Sequence, residues 1–177
     1  MKTLVSMQDL SCLGKCSLTV IHPTVSAMGI ECAVLPTALL STHTGGFGKP
    51  AVVHFDDSLE AIRNHWRENG ITFDAILVGY LGNIAAIQLT ERVLKELLAP
   101  NGVSIVDPAM ADHGKLYQGF DENYVEAMKA LCTHADVLIP NLTEACILTK
   151  TEYREDMTTS ELRKLCQKLE ELCDSDN

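Results

Sequence analysis

Two aspartates that follow a buried apolar run are the residues of this chain best suited to phosphate or metal chemistry. Asp107 comes directly after the run "VSIV", and Asp112 lies a few residues further along the chain. Pro108 biases Asp107 towards an extended backbone. Two carboxylates at a strand tip can hold a hydrated Mg²⁺ ion that bridges the phosphates of a nucleotide. An aspartate that caps the following turn explains Asp107 equally well, so both interpretations stay open here.

A glycine-rich stretch, "STHTGGFGKP" at residues 41–50, follows the apolar run "CAVLPTALL". Its glycines permit close approaches and backbone angles that other residues resist. His43 and Thr44 supply hydrogen-bond donors and acceptors just where the chain becomes pliable. The stretch is either a flexible surface connection or a substrate loop whose polar groups face a pocket.

Polar or glycine residues follow the other apolar runs as well. Ser6 follows the first run, Tyr80 follows "DAILVG", and Asn141 follows "ADVLIP". Asn141 is placed to begin a helix, with Glu144 in its first turn, so a capping role explains Glu144 without any ligand. Because parallel strands bring their carboxyl ends to one edge of a sheet, this recurrence favours a ligand site at that edge.

Short apolar runs alternate with amphipathic stretches along the whole chain. Strands are predicted by runs that are apolar on both faces, at residues 3–7, 31–36, 74–80, 103–108 and 135–141. Helices are predicted at residues 17–28, 57–69, 83–100, 121–131 and 159–173, with Pro23 kinking or dividing the first. This order predicts an α/β fold, with a parallel sheet covered by helices, in a single domain over residues 1–177.

The composition and net charge of the chain indicate which classes of binding partner are expected. The chain has 177 residues and a formal net charge of −10, which disfavours nucleic acid and anionic membranes as partners. A small anionic ligand stays open, because backbone N–H groups can hold a phosphate. The start of the sequence shows neither an export signal nor a membrane anchor, and the seven cysteines are odd in number. A cytoplasmic location with reduced thiols is therefore expected.

Five segments carry a resemblance to a known family. The segments "SMQDLS", "STHTGGF", "VGYLGN", "DPAMADHGKLY" and "PNLTEA" occur in the order seen in bacterial pyridoxal kinases, and the similarity runs from residue 1 to about residue 173. These kinases belong to the ribokinase-like superfamily. The resemblance implies a three-layer α/β/α fold with a mostly parallel central sheet. It also implies ATP-dependent phosphorylation of the 5′-hydroxymethyl group of pyridoxal or a related B6 vitamer, with Mg²⁺, a monovalent cation as a further candidate, and a homodimer in the complete protein.

The resemblance also implies roles for individual positions. Ser6 would contact the polar edge of the pyridine ring, and the pocket for the vitamer would further include Thr44, Gly45 and Tyr80. Asp107 and Asp112 would serve the metal and the phosphates, and Glu144 would act on the metal or its waters. The nucleotide side would therefore comprise five residues, namely Asp107, Asp112, Tyr117, Asn141 and Glu144.

The sequence departs from the family pattern in its last third. These kinases carry a G-x-G-D turn whose amides form an anion hole and whose aspartate is the base, but the last glycine here is Gly119. The catalytic aspartate is therefore expected beyond Asn177, and the 177-residue chain is expected to lack the C-terminal strands and to be inactive on its own. Two alternatives stay open. One is a hydroxymethylpyrimidine kinase of the same superfamily, although its usual "GIQAD" pattern is absent, and the other is a non-catalytic protein that binds a vitamer or a nucleotide.

Overall fold

A computed structural model describes residues 1–174 as strands and helices that alternate along the chain. The eight strands of this part are β1 (Thr3–Ser11), β2 (Glu31–Leu40), β3 (Val52–His54), β4 (Phe73–Val78), β5 (Leu98–Val106), β6 (Ala111–Asp112), β7 (Lys115–Leu116) and β8 (Val137–Leu138). Its six helices are α1 (Leu18–Ala27), α2 (Asp56–Glu68), α3 (Ile84–Leu97), α4 (Glu122–Cys132), α5 (Leu142–Leu148) and α6 (Thr159–Asp174).

Six strands form one sheet in the order β3-β2-β1-β4-β5-β8. All neighbours run parallel except β3, which pairs antiparallel with the end of β2. The carboxyl ends of five strands consequently meet at one edge, as the sequence predicts. This mostly parallel sheet with helices confirms the predicted α/β fold class. None of the helices in residues 1–174 is long and apolar enough to cross a bilayer.

Side chains of the central strand alternate between the two faces of the sheet. Val5 and Met7 of β1 point into the main core, which α2, α3 and α4 cover, whereas Leu4 packs under α1 on the other face. This is the two-residue period of a β-strand that is buried on both faces. At the amino edge of the sheet, Trp66 of α2 packs edge-to-face against Phe73, with 5.3 Å between the ring centroids.

Helix α3 starts where the sequence predicts and ends earlier than predicted. Asn83 is its N-cap, and the Asn83 side chain accepts a hydrogen bond of 2.8 Å from the Ala86 N–H. The helix ends at Leu97, and Leu98 is already extended and begins β5. Prediction of helix up to residue 100 was therefore wrong, because the residue before Pro100 avoids the helical region and the sheet captures this segment.

The remaining boundaries shift in both directions. β1 and β2 extend beyond their predicted ends, to Ser11 and Leu40, whereas only Val137–Leu138 of the predicted strand 135–141 pairs with β5. Helix α1 runs through Pro23 without dividing, which the sequence left open. The short strands β3, β6 and β7 were not predicted.

A broad groove of about 1590 Å³ runs along the open edge of the sheet. Its walls are formed by α3, the end of α4, β8, α5 and α6. β8 lies last in the strand order, and Val137 and Ile139 are 42% and 48% exposed. Of the predicted site residues, only Asn141 lines this groove.

Candidate functional site

Asp107 lies at the tip of β5, at the carboxyl edge of the sheet. Its backbone N–H donates a hydrogen bond of 2.9 Å to the Val78 carbonyl, which extends the pairing of β5 with β4 by one residue. Burial raises the pKa of the Asp107 carboxyl above its usual range. Within residues 1–174, no hydrogen bond or ion pair satisfies this carboxylate. A half-buried carboxylate without a partner is the feature that a ligand or cation would complete.

Glu144 is the most buried acid of the site, with 1% of its surface exposed. It forms a capping box with Asn141, since its backbone N–H donates to the Asn141 side chain and its Oε2 accepts from the Asn141 N–H at 2.9 Å. Its Oε1 accepts from the backbone N–H groups of Met110 and Ala111, at 3.1 and 3.4 Å. The capping role predicted from the sequence is thus present, and the same carboxylate also holds the loop that follows Asp107.

Burial, with a smaller contribution from the nearby Asp107 carboxylate, raises the pKa of Glu144 to about 7. Because this pKa lies above its ordinary value of 4.5, the folded protein binds the proton more tightly than the unfolded chain does. The stabilising contribution of Glu144 protonation is therefore fully present below the unfolded pKa, and it is lost as the pH rises through the folded pKa.

We expect this titration to appear when the wild type is compared with Glu144→Gln, which cannot ionise. When the pH is lowered from about 7.5 to about 5, the wild type should become more stable relative to the variant. The difference between their free energies of unfolding should change by on the order of 2 kcal/mol in favour of the wild type. Urea unfolding of both proteins at several pH values measures the difference. A difference that stays constant or shrinks in acid would contradict the assigned shift.

Asp112 lies on a small hairpin, formed by β6 and β7, beside Glu144. The turn has positive φ angles at His113 (48°) and Gly114 (75°), as a tight two-residue hairpin turn requires. The Gly114 N–H donates to the Thr143 hydroxyl at 3.0 Å, which ties the hairpin to α5. The Asp112 side chain itself is 55% exposed.

Tyr117 lies among the carboxylates of the site. Burial, followed by the negative charges of Glu144, Asp112 and Asp107 in that order, raises the pKa of its phenol to about 12. Asn141 adjoins this group, because its Nδ2 donates to the Ala111 carbonyl at 2.8 Å. The structure thus brings together the five residues that the resemblance assigns to the nucleotide side.

These carboxylates do not form a closed metal cage. Within the described part of the chain, no three His, Cys, Asp or Glu side chains converge closely enough to hold an ion. Both oxygens of Glu144 already accept backbone hydrogen bonds. Asp107 and Asp112 offer the hard oxygen donors that suit Mg²⁺, which takes few protein ligands and keeps several waters. The donor set therefore fits a Mg²⁺ ion that a nucleotide brings with it.

The predicted vitamer residues are less closely gathered. Ser6 lies in the interior of β1 rather than at its end, is fully buried, and accepts a hydrogen bond of 2.6 Å from Gln8 Nε2. Thr44 is exposed on the loop between β2 and β3. The next residue, Gly45, donates its N–H to His43 Nδ1 at 3.0 Å. In residues 1–174, Ser6 and Thr44 share no hydrogen bond.

Tyr80 begins a short column of aromatic rings at the same edge of the sheet. Its ring stacks on Phe120 with 5.7 Å between the centroids, and Phe120 stacks on Tyr124 at 3.8 Å. The Tyr80 carbonyl accepts from the Thr37 hydroxyl at 2.8 Å. Burial raises the Tyr80 pKa, and the Asp9 carboxylate raises it further.

Four residues that support the site were given no role by the sequence analysis. Thr37 and Thr143 hold backbone groups, Phe120 joins the aromatic column, and Asp9 faces Tyr80. The spacing of Phe120 and Tyr124, four apart across the start of α4, is the kind of signal that could have identified that pair. The two threonines carry no comparable signal, since their partners are backbone groups of distant segments.

Three comparisons place the chain among known proteins. A family model described as phosphomethylpyrimidine kinase matches residues 23–176. A pyridoxine/pyridoxal/pyridoxamine kinase of Bordetella avium is 31% identical over 172 residues, which cover 92% of this chain and 56% of that protein. The crystal structure of a Lactobacillus plantarum pyridoxal kinase is 39% identical, with a TM-score of 0.89 over 97% of this chain and 60% of that one.

A crystal structure from Bacteroides thetaiotaomicron, described as a phosphomethylpyrimidine kinase in a form with pyridoxal, is similar in the same way. It is 37% identical, with a TM-score of 0.92 over 97% of this chain and 59% of its own length. The chain spans little more than half the length of these relatives. It belongs to the phosphomethylpyrimidine kinase family and is similar to pyridoxal kinases of the ribokinase-like superfamily.

Proposed function

We propose that the protein to which this chain belongs transfers a phosphoryl group from ATP to the 5′-hydroxymethyl group of pyridoxal or a related B6 vitamer. The observation that carries the proposal is the unpartnered, half-buried Asp107 carboxylate at the carboxyl edge of the sheet, beside Tyr117 and Asp112. The pyridoxal kinase names of the relatives and the pyridoxal in the Bacteroides structure support the choice of substrate.

The role of each residue in this proposal follows from the hydrogen bonds that it makes or from polar atoms that have no partner within the described residues. Asp107 and Asp112 present carboxylate oxygens to the metal–phosphate group. Mg²⁺, when bound, would neutralise charge on the phosphates. Glu144 and Asn141 fix the backbone of Met110 and Ala111 through three hydrogen bonds, which holds the loop that follows Asp107 in place. The vitamer side comprises Tyr80, Thr44, Gly45 and Ser6. Binding of both ligands is assigned to this chain, whereas the proton transfer from the vitamer is not.

Isothermal titration of the chain with pyridoxal and with Mg-ATP, each alone, tests the proposal. We expect saturable binding of both, with nucleotide binding that weakens when EDTA removes the metal. Binding of neither ligand by the folded chain would contradict the proposed site. Binding of the nucleotide without the vitamer would instead leave the substrate pocket unsupported.

A second candidate substrate is hydroxymethylpyrimidine, because the matching family model is described as phosphomethylpyrimidine kinase. Both substrates carry a hydroxymethyl group on a nitrogen heterocycle, so the same edge of the sheet could receive either. Competition titration separates them: pyridoxal should displace bound hydroxymethylpyrimidine under the first proposal. Stronger binding of the pyrimidine would reverse the order of the two candidates.

Thr44→Ala is expected to weaken pyridoxal binding by somewhat under tenfold, since a neutral hydrogen bond contributes on the order of 1 kcal/mol. The exposed position of Thr44 implies little change in stability. Thr72→Ala, which makes the same chemical change at an exposed position outside the site, is the matched control. Titration curves that coincide for the two variants would remove Thr44 from the pocket.

A further inference from the structure

Asp9 is a buried carboxylate that neither the comparisons nor the proposed roles account for. It is 4% exposed and lies near the end of β1. Its Oδ2 accepts from the Ser11 hydroxyl at 2.9 Å, and its Oδ1 accepts from the Ser17 hydroxyl at 2.5 Å. In the described part of the chain, no lysine, arginine or histidine forms an ion pair with it. A buried charge that only two hydroxyls satisfy is costly to keep, so a reason for it is expected.

Ser17, the partner of Asp9, has a backbone conformation that serine rarely adopts. Its φ is 49° and its ψ is −126°, outside the regions open to residues with a Cβ. Ser17 occupies the N-cap position of α1, yet its side chain caps no backbone N–H and turns to Asp9 instead. Such conformations persist only where the surroundings favour them, and the hydrogen bond from Ser17 to the buried Asp9 is a contact that favours this one.

Residues 12–17, the segment that ends at Ser17, contact the loop on the vitamer side of the candidate site and lie near Tyr117 on the nucleotide side. On the vitamer side, the Leu13 carbonyl accepts from the His43 N–H at 3.0 Å. Gly14 lies so close to the His43 ring that a Cβ there would be 2.0 Å from Cδ2, and His43 in turn holds the Gly45 N–H. At the other end, the Cys16 thiol is close enough to Tyr117 to contribute to its raised pKa.

We infer that Asp9 is a positioning residue which, through Ser17, holds residues 12–17 against the loop that carries Thr44. The segment thereby spans the vitamer side and the nucleotide side of the site. The inference rests on the proposed function for the identity of the ligands, but the contacts themselves do not depend on it. Asp9 touches neither ligand in this proposal. It acts only by keeping residues 12–17 in position against the loop that carries Thr44.

The Ser17 side chain allows a matched set of variants. Ser17→Ala removes the hydroxyl and keeps a Cβ in the unfavourable conformation, so the bond to Asp9 no longer offsets the strain at the end of residues 12–17. Ser17→Gly also removes the hydroxyl, but glycine adopts a positive φ readily, so the segment no longer needs to be held. Ser26→Ala makes the same change at an exposed position of the same helix and is the control.

Amide hydrogen exchange, measured on the whole chain, shows directly whether residues 12–17 and the neighbouring loop are held in place. In Ser17→Ala, exchange of residues 12–17 and of the amides of His43 and Gly45 should accelerate by about tenfold or more, with a comparable weakening of pyridoxal binding. Ser17→Gly should stay within about threefold of the wild type in both measurements. Asp9→Asn, which keeps the size of the side chain and weakens the bond to Ser17, should change the same amides in the same direction.

Two results would overturn the inference. One is exchange in Ser17→Ala that equals that of Ser26→Ala. The other is acceleration at residues 12–17 that leaves His43 and Gly45 unchanged, because the segment would then be held without positioning its neighbour. If the wild type does not bind pyridoxal, the proposed function is contradicted. Hydrogen exchange at the amides of His43 and Gly45 then still decides, without any ligand, whether Asp9 has a positioning role.

Discussion

Glu144→Ala is expected to destabilise the protein by about 4 kcal/mol, because it leaves buried backbone donors without an acceptor. The carboxylate accepts from the N–H groups of Met110, Ala111 and Asn141, and all three bonds disappear together. The loss should appear in urea unfolding as a lower midpoint with an unchanged slope. Because the bonds from Met110 and Ala111 also fix the loop that follows Asp107, nucleotide binding should weaken even where the variant remains folded.

Glu161→Ala is the matched control for this prediction. Glu161 occupies the same position in a second capping box, in which its Oε2 accepts from the Thr158 N–H at 2.8 Å, but this box is exposed to solvent. Removing it should destabilise the protein much less than Glu144→Ala does, since water can satisfy the freed groups. Equal losses for the two variants would show that Glu144 acts as an ordinary helix cap and does not support the loop.

Asp107→Asn is expected to lower the affinity for Mg-ATP by roughly ten- to a hundredfold, as loss of a charged partner of the metal–phosphate group would. The change should not destabilise the fold. Burial disfavours the ionised Asp107 carboxyl, so a neutral amide of the same size should leave the stability equal or higher. Titration with Mg-ATP, with and without EDTA, should show that the variant has lost most of its metal dependence.

Asp57→Asn controls for the change in net charge, because Asp57 is an exposed residue of α2. It should bind Mg-ATP as the wild type does. An Asp107→Asn protein that melts early yet binds Mg-ATP normally would support the alternative interpretation of Asp107, as a residue that only caps a turn.

Local pattern was enough to predict the regular elements around the site. Hydrophobic patterns in the sequence predict the strands β1, β2, β4 and β5 and the amphipathic helix α3. Asn83 predicts the start of that helix. The edge of the sheet at which Asp107 lies follows from these elements, because parallel strands share a direction. The Asn141–Glu144 capping box was likewise predictable from residue type and spacing.

Features that depend on distant partners were not predictable in this way. β3 is a strand only because the end of β2 is available to pair with it, and its "VVH" is too short to identify itself. The bonds from Met110 and Ala111 to Glu144 join segments more than thirty residues apart. The Ser17 hydroxyl donates to the buried Asp9, and no short-range pattern predicts this bond or the unfavourable backbone of Ser17.

The placement of the aromatic residues gives the chain two separate optical reporters. Its single tryptophan, Trp66, packs against Phe73 at the amino edge of the sheet, whereas three of its four tyrosines, namely Tyr80, Tyr117 and Tyr124, lie at the carboxyl edge. Tryptophan fluorescence should therefore follow unfolding of the core with little response to ligands. Tyrosine difference absorbance should follow occupation of the site. Unlabelled protein thus allows stability and binding to be recorded independently in one cuvette.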